Sequence, residues 1–428
     1  MSVQPCDQLN GDTNDGPTLW STPTYEVGLV SDDADPLNIG CSIVKRTYAS
    51  PLTWTSFNLA SIPGNPLWLP VNVVTSPGVM DTHYKFVCMV DSAGFIHVSG
   101  NQHQSPRKYV KSTVAGDITT LADASSLVDN SATGVTTGLG TDNNGGFSYN
   151  KFEIDHHGNR WWYFLQSDRT TAPKVAGRDA ILMMLPYNPS ATWSQPWEYA
   201  PGTVNGEIQT CNETVSDGDP ERVYTCGFMF RPADDLMGWF GVWQDAHDDG
   251  NTRGELFYVQ REYGSSQWKT ITGTNVTSPF QRADIQAQGA QLPDQVDPIN
   301  SDWRPCFDSS GYPHIVVSDG GANVRHHWWD GSAWQYETTP GGGGGGGHLV
   351  MIGNQMWRTR VTANAYYMYP MGSPSAPFRV RLSGTVPNTF SPLPDPVGAL
   401  GGKISVMSPY GNQPRVFSFG ANAKRAKA

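Results

Sequence analysis

Residues 86–100, FVCMVDSAGFIHVSG, read as two short β-runs joined by Asp91-Ser-Ala-Gly94. The apolar residues cluster over strand-sized lengths and lack the three-to-four spacing of an amphipathic helix. Asp followed three residues later by Gly marks a tight turn, with Gly supplying the positive φ that the turn needs. A third β-run, KYVKST (108–113), completes the unit. The same order returns as FEIDHHGNRWWYFLQSD…AILMMLPYNPSATW (152–193) and as PCFDSSGYPHIVVSDGG…HHWWDGSAW (305–334). A looser copy is VYTCGFMFRP…GELFYVQREYGSSQW (223–268), and degenerate copies fall at 25–54, 348–381 and 402–419.

A self-similar unit of about 40–60 residues with three or four strands is the signature of a β-propeller. The expected fold is therefore all-β, a single propeller of seven blades, six being the other count the length allows. The boundaries read as a loosely held segment over 1–20, a propeller over 21–420 and a basic tail over 421–428. The glycine run Gly341–Gly347 is a loop inside the propeller, because β-units continue after it. Composition agrees. Aromatics reach 11% with 15 Trp, and charged residues make up 16%, which suits indole-filled layers and argues against a helical bundle or coiled coil.

Of the charged residues 28 are basic and 39 acidic, a net −11, the reverse of a nucleic-acid binder's footprint. The longest apolar runs, at 86–90 and 180–185, fall far short of the ~20 residues of a membrane-spanning helix. The polar start MSVQPCDQLNGDTNDGPT has no apolar core of a secretory signal, so release by a non-classical route or association with a virion is the expectation, with an extracellular site of action if the chain degrades a polymer. Six cysteines without Cys-x-x-Cys spacing suggest neither a disulfide framework nor a zinc ribbon.

Few residues stand out chemically. His83 enters the first β-run of the 86–113 unit and His103 leaves the second, with the Asp91–Gly94 turn midway, so both belong to one end of a hairpin. Two imidazoles at a propeller mouth can neutralise a carboxylate and move a proton near neutral pH; the plain alternative is two surface histidines. Tyr149 precedes the next unit at the equivalent position, where a buried Tyr ordinarily packs and makes one hydrogen bond. Arg231, closing Phe-Met-Phe-Arg, reads as a similar exit position able to hold an anion, or as a surface ion pair with Asp234 or Asp235. Cys306, His314, His326 and His327 share one unit and could offer thiolate and imidazole to zinc, although a common strand pattern explains them as well. Asp/Asn loops such as Thr141–Asn144 could hold calcium but are usually turns.

The segment Asp81-Thr-His83…Asp91-Ser-Ala-Gly94-Phe-Ile-His97…Gly100-Asn101-Gln-His103…Tyr109 resembles the hallmark blade of the BNR-repeat propellers that include the ulvan lyases. Tyr149-Asn-Lys-Phe152…Asp155-His-His-Gly158 resembles the Tyr-Pro-Arg-Phe strand of the following blade, and the likeness continues more weakly to 334. The resemblance implies a seven-bladed propeller that cleaves uronic-acid polysaccharides, sulfated ones like ulvan among them, by β-elimination. His83, His103 and Tyr149 would surround the scissile bond, and Asn101, Lys151, Arg169 and Arg231 would bind the substrate. No cofactor is required on this reading; structural zinc or calcium is open. The partner is an acidic glycan.

The sequence also departs from the family. An Arg usual after the Tyr strand is replaced by Leu165-Gln-Ser-Asp168, with Arg169 just beyond. A Tyr-Pro pair in the next blade is replaced by Gln209-Thr-Cys-Asn212, and a His before its third strand by Arg253-Gly254. A noncatalytic glycan-recognition propeller, for instance on a phage particle, is therefore the second expectation. Sialidase chemistry fits poorly: the nearest Asp-box, Arg261–Trp268, lacks its Ser and Asp.

Overall fold

The computed structural model describes residues 3–5, 19–32, 41–49, 53–64, 66–67, 86–100, 108–125, 145–168, 181–187, 207–210, 222–244, 253–263, 265, 267–277, 282–293, 304–318, 323–340, 348–362, 365–371, 378–381, 403–410 and 413–420. Among them the chain is almost wholly β, with one six-residue α-helix, Arg282–Ala287. None of their helices is long and apolar enough to cross a membrane.

Among the described residues, antiparallel strands form seven successive sheets. The first holds Leu19–Ser21, Tyr25–Asp32, Cys41–Thr47 and Thr53–Asn58, with Val3–Pro5 paired alongside Tyr25–Asp32. The second is Val87–Val90, Ile96–Ser99, Tyr109–Ser112 and Leu121–Asp123; the third is Gly145–Ile154, Arg160–Asp168, Ile181–Tyr187 and Glu207–Thr210. The fourth runs Arg222–Arg231, Leu236–Gln244 and Arg253–Glu262, extended by Trp268–Lys269 and Asn275–Val276. The fifth is Cys306–Phe307, Pro313–Ser318, Asn323–Trp329 and Trp334–Pro340, and the sixth Leu349–Ile352, Gln355–Thr362, Ala365–Pro370 and Phe378–Arg381. Lys403–Tyr410 and Gln413–Gly420 make the seventh. Each sheet touches the next, and the last touches the first, so the sheets close into a ring: a β-propeller. The degenerate units read at 25–54, 348–381 and 402–419 correspond to the first, sixth and seventh sheets.

The repeated Asp-x-x-Gly is one turn built three times. Asp91 Oδ1 accepts from the backbone N–H groups of Ala93 (2.9 Å) and Phe95 (2.8 Å). Asp155 Oδ1 does the same for His157 (2.9 Å) and Asn159 (2.8 Å), and Asp308 Oδ1 for Ser310 (2.9 Å) and Tyr312 (2.7 Å). Gly94, Gly158 and Gly311 hold φ of 86, 82 and 83°, left-handed backbone where a Cβ is disfavoured. Each turn joins the first and second strands of its sheet. Contacts between turns of different sheets, such as Arg231 Nη1 donating to Gly311 O, put these turns at one mouth of the ring.

The core lies between sheets. Trp161 packs with Phe228, Trp239, Phe257 and Trp268 toward the fourth sheet. Its neighbour Trp162 points the other way, onto Tyr109 and Phe152 and the second sheet. Period-two alternation forces that division. Cys88 is fully buried in the first strand of the second sheet.

Candidate functional site

Val87 pairs with Ser99 at the end of the second sheet's first hairpin away from the Asp91 turn. Asn101 and His103 follow Ser99 in sequence and His83 precedes Val87; these three and Arg169 lie outside the described residues. Tyr149 lies within the strand Gly145–Ile154, where the register to Arg160–Asp168 breaks between Ser148 and Lys151. An irregularity of this kind leaves residues out of the ladder and re-aims them, and bulges concentrate beside active sites. Asn150 is buried at the break. Its Oδ1 lies 3.4 Å from Ser99 Oγ, whose hydroxyl also donates to Lys108 O at 2.8 Å.

Lys151 is buried and pairs in register with Tyr163. By alternation it shares a face with Glu153, whose Oε1 takes a 2.9 Å bond from Arg304. Lys108 sits next to Tyr109 at the Ser99 end of the hairpin. Burial pulls its ammonium down to about 8, so it changes charge just above neutrality.

Arg231 is elsewhere. It pairs with Leu236 beside the turn, so it closes its strand at the turn mouth, the end opposite to Val87 and Ser99. Leaving a first strand and leaving a second strand are opposite ends of a hairpin, which the exit-position reading conflated. Its guanidinium is bidentate on Asp234, at 2.7 and 2.6 Å, and lies over the Phe307 ring. This is the surface ion pair named as its alternative.

The turn mouth opens into a cavity of about 670 Å³ between the innermost strands of the third to sixth sheets. Glu153, Arg231, Arg304 and Cys306 line it together with Phe228, Phe307 and Leu349. Its lining mixes apolar and charged side chains, and the charges are paired, Glu153 with Arg304 and Arg231 with Asp234.

Several histidines are committed to structure. His97 is fully buried, with Nδ1 2.5 Å from Tyr109 Oη and Nε2 3.0 Å from Asp91 Oδ2, and burial lowers its pKa. In the fifth sheet His314 Nδ1 meets His326 Nε2 at 2.8 Å and both stack on Trp328. His327 faces the opposite side, against Tyr336, and burial pushes the Cys306 thiol up. The suggested thiolate–imidazole zinc set therefore does not converge. Among the described residues, three potential ligand atoms come within 4.8 Å of one another at His156, His157 and Asp235.

A family model described as a BNR repeat-containing family member matches residues 43–340. Among solved structures, a polysaccharide lyase of the PL25 ulvan lyase family superposes with a TM-score of 0.65 at 12% identity, covering 98% of this chain and 94% of that one. A PL25 ulvan lyase bound to -[GlcA(1-4)Rha3S]- gives 0.58 at 12% identity, covering 86% and 82%. The polysaccharide lyase Uly1 gives 0.55 at 13%, covering 94% and 88%. At these identities the likeness is one of fold. No curated protein matches the chain in sequence.

Proposed function

This chain belongs to the BNR repeat-containing family, and from that premise we propose that it is a polysaccharide lyase cleaving a uronic-acid glycan by β-elimination. The observation that carries the reading is the register break at Tyr149–Asn150, with Asn150 within reach of Ser99. It favours a shared site for Tyr149 and the segment that holds Asn101 and His103.

The chemistry suits these residue types. A uronate C5 proton becomes removable when a cation or hydrogen-bond donor neutralises the adjacent carboxylate. Tyr149 or one of the pair His83 and His103 then accepts that proton. The C5–H electrons form the C4=C5 double bond, the C4–O4 bond breaks, and a second member of the group protonates the departing O4. Donors aimed where enolate charge develops contribute most of the barrier reduction. Lys151, Arg169 and Asn101 remain the proposed substrate binders, and Lys108 joins them. The partner is an acidic polysaccharide.

The test is ultraviolet absorbance of the protein with a panel of uronic-acid polysaccharides, beside a His83→Ala/His103→Ala double variant. β-Elimination conjugates the new double bond to the carboxylate, so a lyase produces rising absorbance. A rise abolished in the double variant supports the reading; a flat trace across the panel rejects it.

One observation favours a second reading, a noncatalytic glycan-recognition propeller. Arg231 is engaged by Asp234 at the other mouth, which leaves fewer cations for carboxylate neutralisation where the family Arg is already replaced. Retained glycan binding with no turnover would establish it.

A further inference from the structure

We propose that His156, His157 and Asp235 form a binding site for a divalent transition-metal ion, zinc above all, that clamps the third sheet to the fourth at the turn mouth. The site is independent of the lyase reading. It lies at the opposite end of the ring from the strand ends next to 83 and 103.

The convergence of ligand atoms carries the inference. His156 Nε2 and His157 Nε2 lie 2.7 and 2.6 Å from the same atom, Asp235 Oδ1. Zinc–ligand bonds of about 2.0–2.2 Å in a tetrahedral shell set donor atoms about 3.4 Å apart, so a shift of under about 1 Å per atom admits the ion. Two imidazoles and one carboxylate suit zinc, and poorly suit calcium or magnesium, which take oxygen. Three protein ligands leave a fourth position to water. His157 and Asp235 are about half exposed, which leaves a path for entry.

The ligands are held ready by their surroundings. The Asp155 turn presents two consecutive histidines, and Asp155 Oδ2 accepts from Trp161 Nε1 (2.9 Å) and Tyr263 Oη (2.8 Å). The Tyr263 ring packs 4.6 Å from His157 and 5.9 Å from His156, and its backbone N–H donates to Asp235 O at 2.7 Å. Asp235 itself has φ of 56°, left-handed backbone of the kind that the other turns give to glycine. A carboxylate therefore occupies a position whose conformation favours Gly.

That conformation supplies a folding-safe test. Asp235→Gly removes the ligand and relaxes the backbone; His157→Ala removes an exposed ligand. The full chain, dialysed against a chelator, is titrated with Co²⁺ and then Zn²⁺, reading cobalt visible absorbance, stoichiometry and melting temperature. The expected result is one tetrahedral Co²⁺ per chain displaced by Zn²⁺, with affinity lowered about tenfold or more in each variant and a metal-dependent rise in melting temperature seen for the unaltered chain alone. Absence of binding to the unaltered chain, or binding as tight in Asp235→Gly, overturns the proposal. Loss of binding in His326→Ala instead would also overturn it by moving the metal to the fifth sheet.

Discussion

Ser99 and Asn150 meet across the seam between the second and third sheets, Ser99 Oγ lying 3.4 Å from Asn150 Oδ1. The contact joins the last residue of one strand, itself in register with Val87 and Tyr109, to the register break of another. Because Ser99 keeps its bond to Lys108 O, Asn150→Ala should cost only about 1 kcal/mol in urea unfolding. On the lyase reading it lowers kcat and leaves KM nearly unchanged, since it positions Tyr149 and does not bind glycan. An unchanged kcat would detach Asn150 from the site.

Tyr149→Phe removes one proton-transfer group and little volume. On the lyase reading kcat falls by about 10²–10⁴-fold with the melting temperature preserved. Full activity in this variant would move the acid–base role to the histidines alone.

Arg231→Ala should leave turnover within about twofold, since the guanidinium sits at the turn mouth and is paired with Asp234. Its surface ion pair is worth about 1 kcal/mol or less in thermal unfolding. A large rise in KM would place the glycan path at the turn mouth.

His327 is 1% exposed, with both ring nitrogens buried and without hydrogen-bond partners among the described residues. Burial, reinforced by His326 and Arg325, lowers its pKa from 6.5 to about 4. Between those values the unfolded chain binds the proton and the folded chain does not, so this residue's contribution to stability falls as pH drops from 6.5 toward 4. The loss amounts to about 3 kcal/mol at most. His327→Phe should fold at neutral pH and show a shallower loss of melting temperature over that window. An identical pH profile would show that the ring is charged in the native state.

Asp155 is wholly buried and accepts from two backbone N–H groups, an indole and a phenol, whereas Asp308 holds mainly its own turn. Asp155→Ala should therefore cost about 3–5 kcal/mol and Asp308→Ala about 1–2 kcal/mol, by urea unfolding. The reverse order would contradict the assignment of Asp155 as the link between the third and fourth sheets.

The propeller was legible because its signal is local. Asp91, Asp155 and Asp308 each announce a hairpin through a Gly three residues later, and those hairpins recur with flanking β-runs. The fourth sheet's turn is written differently, with Asp235 in the left-handed position, and its unit looked loose for that reason. Arg231 offered two readings, an exit position and a surface ion pair, because nothing local distinguishes the two ends of a hairpin until strand order is fixed. The convergence of His156 and His157 on Asp235 had no local trace, since 78 residues separate His157 from Asp235 and only the packing of the third sheet against the fourth brings them together.

Trp161 and Trp162 are adjacent in the chain and serve different cores, so the strand Arg160–Asp168 is a party wall. Disordering it opens the packing on both sides at once. The blades on its two flanks should lose structure in one cooperative transition, and a fragment ending before residue 160 should not persist as half a propeller. In an open repeat array a terminal unit can fray while the rest stands. Here the side chains of two consecutive residues deny the molecule that graded failure.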